Sequence, residues 1–579
     1  MNNSRDGLSR RQVISGAGAV ALGAVTLKSS HAVAMDKWDH EADIVVVGTG
    51  IGAATAAYVA HKKGSSVIMV EKAETFGGTT ARSAGVIWIP NNFVIRDRGD
   101  VDSRKDCLHF LVRFSFPQRY NPDDPMLGIG EHAYSLLAAF YDNGAAAIDL
   151  LRKESVLKLH EWRMFALDIP APDYLDHVKE NLSPDGRALG VTIGDGGTGL
   201  GAHLMEQMKT GIDKEGIPVL LGHRAGRVVK NEEGRVIGLE ATKGKQTVTL
   251  RARKGVIFAT GGYVHNETFV ANYQRSTIYG ACASPMSTGD FISIASAAGA
   301  RMGNLSGAWR TQVLLEQALE NRVLPSGVFF PPGDSMIQVN RYGRRVVDEK
   351  RNYNDRTEIH STYNPSNAEF PNHIMMMVYD QRTAEAFAGA HPLPASASDI
   401  YYVIKGDTLE ELTKEISKRF KKISARTGGF LLDDSFTDNL KTSIERFNGF
   451  AIAGVDDDFQ RGGTAYDKEW QKVFSPMTAD STWPVNDKPN STMYPIRDKG
   501  PYFAILLAPG ALDTNGGPLI DAKARILDGQ DKPIPGLYGA GNCIASPSGE
   551  AYWGAGHTIG LALTFGYIAA NAAHEELIS

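Results

Sequence analysis

A continuous apolar run, Asp43-Ile44-Val45-Val46-Val47, feeds directly into Gly48-Thr49-Gly50-Ile51-Gly52-Ala53, and that junction constrains the fold more than any other feature of the chain. The run is β-branched and unbroken, as in a parallel strand buried on both faces. The turn fits G-x-G-x-x-G/A with Ala53 in the third position. An alanine-rich helical stretch follows to about Lys63, then a second strand, Ser66 to Val70, ends on Glu71 and Lys72. Glycines let the backbone approach a pyrophosphate seated on a helix N-terminus, and the acid after the second strand accepts ribose hydroxyls. Strand, turn, helix, strand and acid in this order predict a dinucleotide site on a Rossmann-type α/β domain.

The rest of the composition narrows the class. A chain of 579 residues can build two domains with substantial cores. A net charge of −5 leaves no footprint for nucleic acid. No apolar run reaches the roughly 18 residues that span a bilayer, so no stable membrane insertion is expected. The cysteines, Cys107, Cys282 and Cys543, are odd in number and far apart, which excludes a full disulfide framework. No C-x-x-C-H haem site, iron–sulfur spacing or metal site is present, so the chain carries no electron wire of its own. At the N-terminus, Ser9-Arg10-Arg11-Gln12-Val13-Ile14, a mild apolar stretch to Leu27, Lys28 and Ala32-Val33-Ala34 read as a twin-arginine export signal over residues 1–34. A periplasmic or exported protein is the expectation.

Three further motifs lie downstream of the first. Phe76-Gly77-Gly78-Thr79-Thr80 is followed by Ser83-Ala84-Gly85 and Trp88; Gly255-Val256-Ile257-Phe258-Ala259-Thr260-Gly261-Gly262 comes next; Ile534-Pro535-Gly536-Leu537-Tyr538-Gly539-Ala540-Gly541-Asn542 comes last. Together they resemble the flavin segments of the fumarate reductase superfamily, which implies FAD as the cofactor. The expected FAD-binding set is Gly48, Gly50, Gly52, Ala53, Glu71, Lys72, Gly77, Gly78, Thr79, Thr80, Ser83, Gly85, Ala259, Thr260, Gly261, Gly541, Asn542, Thr558 and Ile559. The flavin domain is then assembled from residues 40–304 and 488–579, with an inserted α+β substrate-capping domain over 305–487. The acidic stretch Val455 to Gly463 reads as a surface loop of the cap. The cleft between the two domains is the default place for chemistry.

Near the C-terminus, Tyr552-Trp553-Gly554-Ala555-Gly556 runs into His557-Thr558-Ile559-Gly560. A phenol and a backbone N–H four residues on can hold one carbonyl oxygen between them. With Pro172-Asp173-Tyr174, and with Arg345 to Glu349 followed by Tyr353, this segment resembles the active-site set of the 3-ketosteroid Δ1-dehydrogenases. The resemblance covers nearly all of the chain beyond the export signal. It implies that Tyr552 and the Gly556 amide polarise a ketone, that Tyr353 takes the α-proton with help from Tyr174, and that the flavin N5 accepts hydride from the neighbouring carbon. The product carries a carbon–carbon double bond beside the ketone. A phenol has an ordinary pKa near 10, so a tyrosine base needs such help near neutral pH. The sequence departs from the family at Trp553, where proline is usual, and at His557. Trp553 is expected to shorten the pocket or to lie over a ring, and His557 to act as a hydrogen-bonding partner at the helix start.

The resemblance therefore implies a 3-ketosteroid or a smaller cyclic ketone such as a cyclohexanone as substrate, and a quinone or redox protein is the expected external electron acceptor. Two alternatives stand beside this reading. One is a periplasmic ene reductase of the fumarate or urocanate kind, in which arginine donates the proton; Arg351 and Arg356 flank Tyr353. The other is a flavin-binding protein without catalysis.

Overall fold

In the computed structural model, residues 37–325, 329–395, 400–474 and 482–578 are described. The expected export signal at 1–34 lies outside them. The first strand, β1 (His40–Val47), is apolar from Ile44 onward and buried on both faces. It pairs in parallel with β2 (Val67–Val70) on one side and with the strand Gln246–Phe258 on the other. Between β1 and β2 lies α1 (Ile51–Lys62), whose residues Ile51 to Ala60 are all buried. Small side chains let α1 lie close to the sheet and to the C-terminal helix, which spans His557–Glu575. A Cβ on Gly566 of that helix would meet the Gly52 carbonyl oxygen at 2.3 Å. The sheet order is Arg525–Leu527, Pro533–Gly539, Gln246–Phe258, β1, β2, Val219–Leu220. The mixed α/β fold and its parallel central sheet agree with the expectation.

A second, five-stranded sheet stands apart from the first. Its antiparallel path runs Ala308–Leu314, Tyr502–Thr514, Met375–Asp380, Met336–Val339, and Val403–Gly406 also pairs with Tyr502–Thr514. The long strand Tyr502–Thr514 thus sits inside this second sheet, although it falls in the 488–579 segment expected above to belong to the flavin domain. Burial on both faces explains its apolar sequence: helices Leu409–Ile423 and Phe436–Ala453 cover one side, and Phe387, Leu393 and Tyr402 pack on the other. Among the described residues, no helix is long and apolar enough to cross a membrane.

The stretch Val455 to Gly463 is not simply a solvated loop. Asp456 and Arg461 are buried, and both join an ion cluster with Arg345 and Glu349. Burial alone would raise the Glu349 carboxyl, but the Arg345 and Arg461 charges overcome it and hold the group down at about 2. Buried ion pairs therefore anchor the Arg345–Glu349 segment, and Tyr353 begins the short helix that follows it. Asn352 caps that helix by accepting from the Asp355 N–H at 3.0 Å.

Candidate active site

The first sheet and α1 open onto a cleft with about 1030 Å³ of empty space. Of the expected cofactor residues, Gly48, Gly50, Gly52, Glu71, Lys72, Gly78, Thr79, Thr80, Ser83, Ala259, Thr260, Gly261, Gly541, Asn542, Thr558 and Ile559 line it. Ala53, Gly77 and Gly85 do not. Ala53 is buried within α1, the Gly77 N–H bonds the Thr49 hydroxyl at 3.1 Å, and Gly85 packs against the Leu200–Gly201 backbone. His223, Ser287, Asp290 and Asp513 also line the cleft and were not expected. Burial pushes the Asp513 carboxyl up to about 6, against hydrogen bonds from the Gly262 and Thr514 N–H groups. No short motif surrounds Asp513, so the sequence carried no signal for it.

The lining fits FAD. Gly48 has φ +109, and a Cβ there would lie 2.4 Å from the Ala259 carbonyl oxygen, so only glycine lets these two walls meet. α1 begins at the cleft without a side-chain cap, although the Thr80 hydroxyl takes the Ile51 N–H at 3.2 Å. Its remaining N-terminal amides suit a pyrophosphate. Glu71 accepts from Thr49 Oγ1 and from the Ala73 N–H, both at 2.8 Å, which orients its carboxylate while leaving lone pairs for ribose hydroxyls. The C-terminal helix also starts on the cleft, at Thr558 and Ile559, and brings the positive end of its dipole there.

Beside Thr558 the three expected tyrosines meet. Tyr174 Oη donates to Tyr353 Oη at 3.0 Å, and both side chains are buried. The Tyr552 ring lies 5.4 Å from that of Tyr353 and 5.6 Å from that of Tyr174. Three remote segments supply them. Tyr174 sits on a loop held by Asp173, which accepts from Trp88 Nε1 at 2.7 Å, from Asn181 and from Arg187. Burial pushes the Asp173 carboxyl up to about 6 although the Arg187 charge opposes it. The Tyr174 N–H also bonds the Trp553 carbonyl at 2.9 Å, tying the first tyrosine to the third segment. Burial raises the Tyr174 and Tyr353 phenols well above the ordinary value. It raises Tyr552 too, but hydrogen bonding with Tyr353 and Thr558 opposes that rise.

Gly556 closes the turn before the C-terminal helix with φ +91. A Cβ there would come within 2.6 Å of the Ile87 nitrogen and of the Val86 carbonyl, so the strand Ile87–Trp88 presses directly on it. The next residue, His557, is fully buried, bonds Ser548 Oγ through Nε2 at 3.0 Å, and is held neutral by burial. Trp553 is not where it was expected. Its indole packs 5.4 Å from Trp88 and from Phe140, and Nε1 donates to Ser115 Oγ at 3.0 Å. The indole thus fills an aromatic slot, with Ser115 as its acceptor, and does not line the cofactor cleft. Trp309 approaches instead, edge-on to Tyr552 at 5.6 Å, with Nε1 on Asn542.

Of the two arginines beside Tyr353, Arg356 is committed elsewhere. Arg356 gives Nε to Gln312 at 2.8 Å and its other nitrogens to the carbonyls of Phe329, Glu349 and Arg351. Arg351 Nη2 bonds the Tyr174 carbonyl at 2.8 Å.

Residues 43–559 match the family model described as FAD binding domain. The chain belongs to that family of FAD-dependent oxidoreductases, in its 3-ketosteroid Δ1-dehydrogenase branch. It is 32% identical to the 3-oxosteroid 1-dehydrogenase of Mycolicibacterium smegmatis, over 92% of this chain and 96% of that one. It is 29% identical to the 4-oxocyclohexanecarboxylate 2-dehydrogenase of Sinomonas cyclohexanicum, over 91% and 92%. Among solved structures it resembles the 3-ketosteroid delta1-dehydrogenase from Sterolibacterium denitrificans in complex with 1,4-androstadiene-3,17-dione. The TM-score is 0.75 at 25% identity, covering 92% of this chain and 99% of that one. FAD is the cofactor of this flavoenzyme family.

Proposed function

We propose that this protein desaturates a cyclic ketone between its α and β carbons. The observation that supports it most is the hydrogen-bonded Tyr174–Tyr353 pair, with Tyr552 against both rings and next to Thr558 on the cofactor cleft. The Tyr552 hydroxyl and the Gly556 N–H bind the ketone oxygen and stabilise the negative charge that grows there. Tyr353 removes the α-proton. Tyr174 donates its hydrogen bond to the phenolate and lowers the cost of charging a buried group. Bound FAD supplies the acceptor for the hydride lost from the β carbon. An external quinone or redox protein then takes the electrons.

The relatives act on a 3-oxosteroid and on a 4-oxocyclohexanecarboxylate. Both ring sizes are therefore tested by mixing the oxidised holoenzyme anaerobically with 3-ketosteroids and with cyclohexanone derivatives. Bleaching of the flavin absorbance by at least one of them is expected. No bleaching by any ring ketone, together with rapid reoxidation of the reduced enzyme by fumarate or urocanate, would replace this reading with the ene reductase.

A further inference from the structure

The cap helix Ala465–Val473 brings two side-chain donors to the tyrosine cluster that the reaction above does not use. Tyr466 is 5% exposed, and its Oη has no hydrogen-bond partner among the described residues. One helical turn on, the buried indole nitrogen Nε1 of Trp470 has none either. Their rings lie 6.1 Å apart. Tyr466 contacts Tyr174 edge-on at 5.1 Å, while Trp470 stacks at 3.6 Å on Phe330, whose ring is 6.1 Å from Tyr353. The two donors therefore stand one ring beyond the base and its helper, on the cap side. Buried donors are seldom left unpaired, and an indole N–H can only donate, so whatever satisfies it there must be an acceptor.

Arg351 adds a cation to the same wall. It reaches the Tyr174 carbonyl, and its closest carboxylate, Asp355, is 4.0 Å away. The neighbouring Asp467 accepts from the Gly462 N–H at 3.0 Å through one carboxylate oxygen, while the other has no hydrogen-bond partner among the described residues. We propose that Tyr466, Trp470 and Arg351 form a subsite for a carboxylate carried by the ring ketone at the end remote from its carbonyl. Two donors and a guanidinium match the two oxygens and the charge of that group. This subsite rests on the ring-ketone reading and narrows it to acidic ring ketones.

Binding of flat analogues that cannot be oxidised at an α carbon separates the subsite from catalysis. Calorimetry on the holoenzyme should show 4-hydroxybenzoate binding more tightly than phenol by about tenfold or more, the worth of one charge-assisted hydrogen bond. In Tyr466→Phe, and separately in Trp470→Phe, that ratio should fall toward one. Turnover should follow, with the kcat/KM preference for 4-oxocyclohexanecarboxylate over cyclohexanone shrinking by a similar factor. Equal affinities in the wild type would overturn the subsite. So would variants that weaken both analogues by the same factor, because that is the mark of a packing role. If cyclohexanone bleaches the flavin but the affinity ratio is one, the subsite alone fails. If no ring ketone bleaches it, the functional reading fails whatever the affinities.

Discussion

Replacing Tyr353 with phenylalanine should leave the protein folded and loaded with FAD, yet lower turnover of its ketone by a factor on the order of 10²–10⁴, the range for a positioned general base. The ring remains to pack against Tyr174, Tyr552 and Phe330, so stability changes little; only the hydroxyl that meets Tyr174 at 3.0 Å is lost. The pH dependence of the wild type should carry the same information. Because burial raises the Tyr353 phenol well above its ordinary value, the reactive phenolate is scarce near neutrality. The logarithm of kcat/KM should therefore climb with pH between about 7 and 10. In Tyr353→Phe that climb should vanish. Rates in the variant within about tenfold of the wild type would remove Tyr353 from the role of base.

Substituting Gly556 by alanine should be as damaging, for a different reason. At φ +91 an alanine is strained by about 1–3 kcal/mol. Its Cβ would also press on the Ile87 nitrogen and the Val86 carbonyl at 2.6 Å. Relief requires the strand Ile87–Trp88 to shift, and that strand is bonded to Gly556 through the Trp88 N–H at 3.1 Å. The amide proposed to bind the ketone oxygen then moves. Turnover should fall on the order of 10²–10³, the worth of one oxyanion donor, and the melting temperature should drop as well. FAD should stay bound, since Gly556 does not line the cofactor cleft. Full activity in a Gly556→Ala protein would show that this amide holds nothing in the reaction.

Much of this architecture is legible in the sequence alone, and the reason is local. The βαβ unit from Asp43 to Glu71 is specified by contiguous residues, because a buried parallel strand and a phosphate-binding turn leave little freedom of composition. The tyrosines at 174, 353 and 552 are legible for the same reason, each lying in a short recognisable context. Tyr466 and Trp470 are not. A tyrosine and a tryptophan four apart on a helix look like core, and only the contacts with Tyr174 and Phe330 reveal what they face. Asp456 and Arg461 are hidden similarly: in sequence they belong to a polar loop, and only the fold brings them to Arg345 and Glu349. For Trp553 the residue type carries size but no direction, and the free slot beside Trp88 and Phe140 decides it. Finally, the strand Tyr502–Thr514 shows that a domain boundary drawn from motif positions need not follow the sheets.

The central claim is that these tyrosines ionise a ketone at its α carbon, and it can be tested without any net oxidation. Holoenzyme kept fully reduced under anaerobic conditions is incubated with the ring ketone in heavy water, and deuterium incorporation at the α carbon is followed by NMR. Enzyme-dependent exchange that is lost in Tyr353→Phe is the result expected here. Exchange no faster than in buffer, or equally fast in the variant, would contradict it.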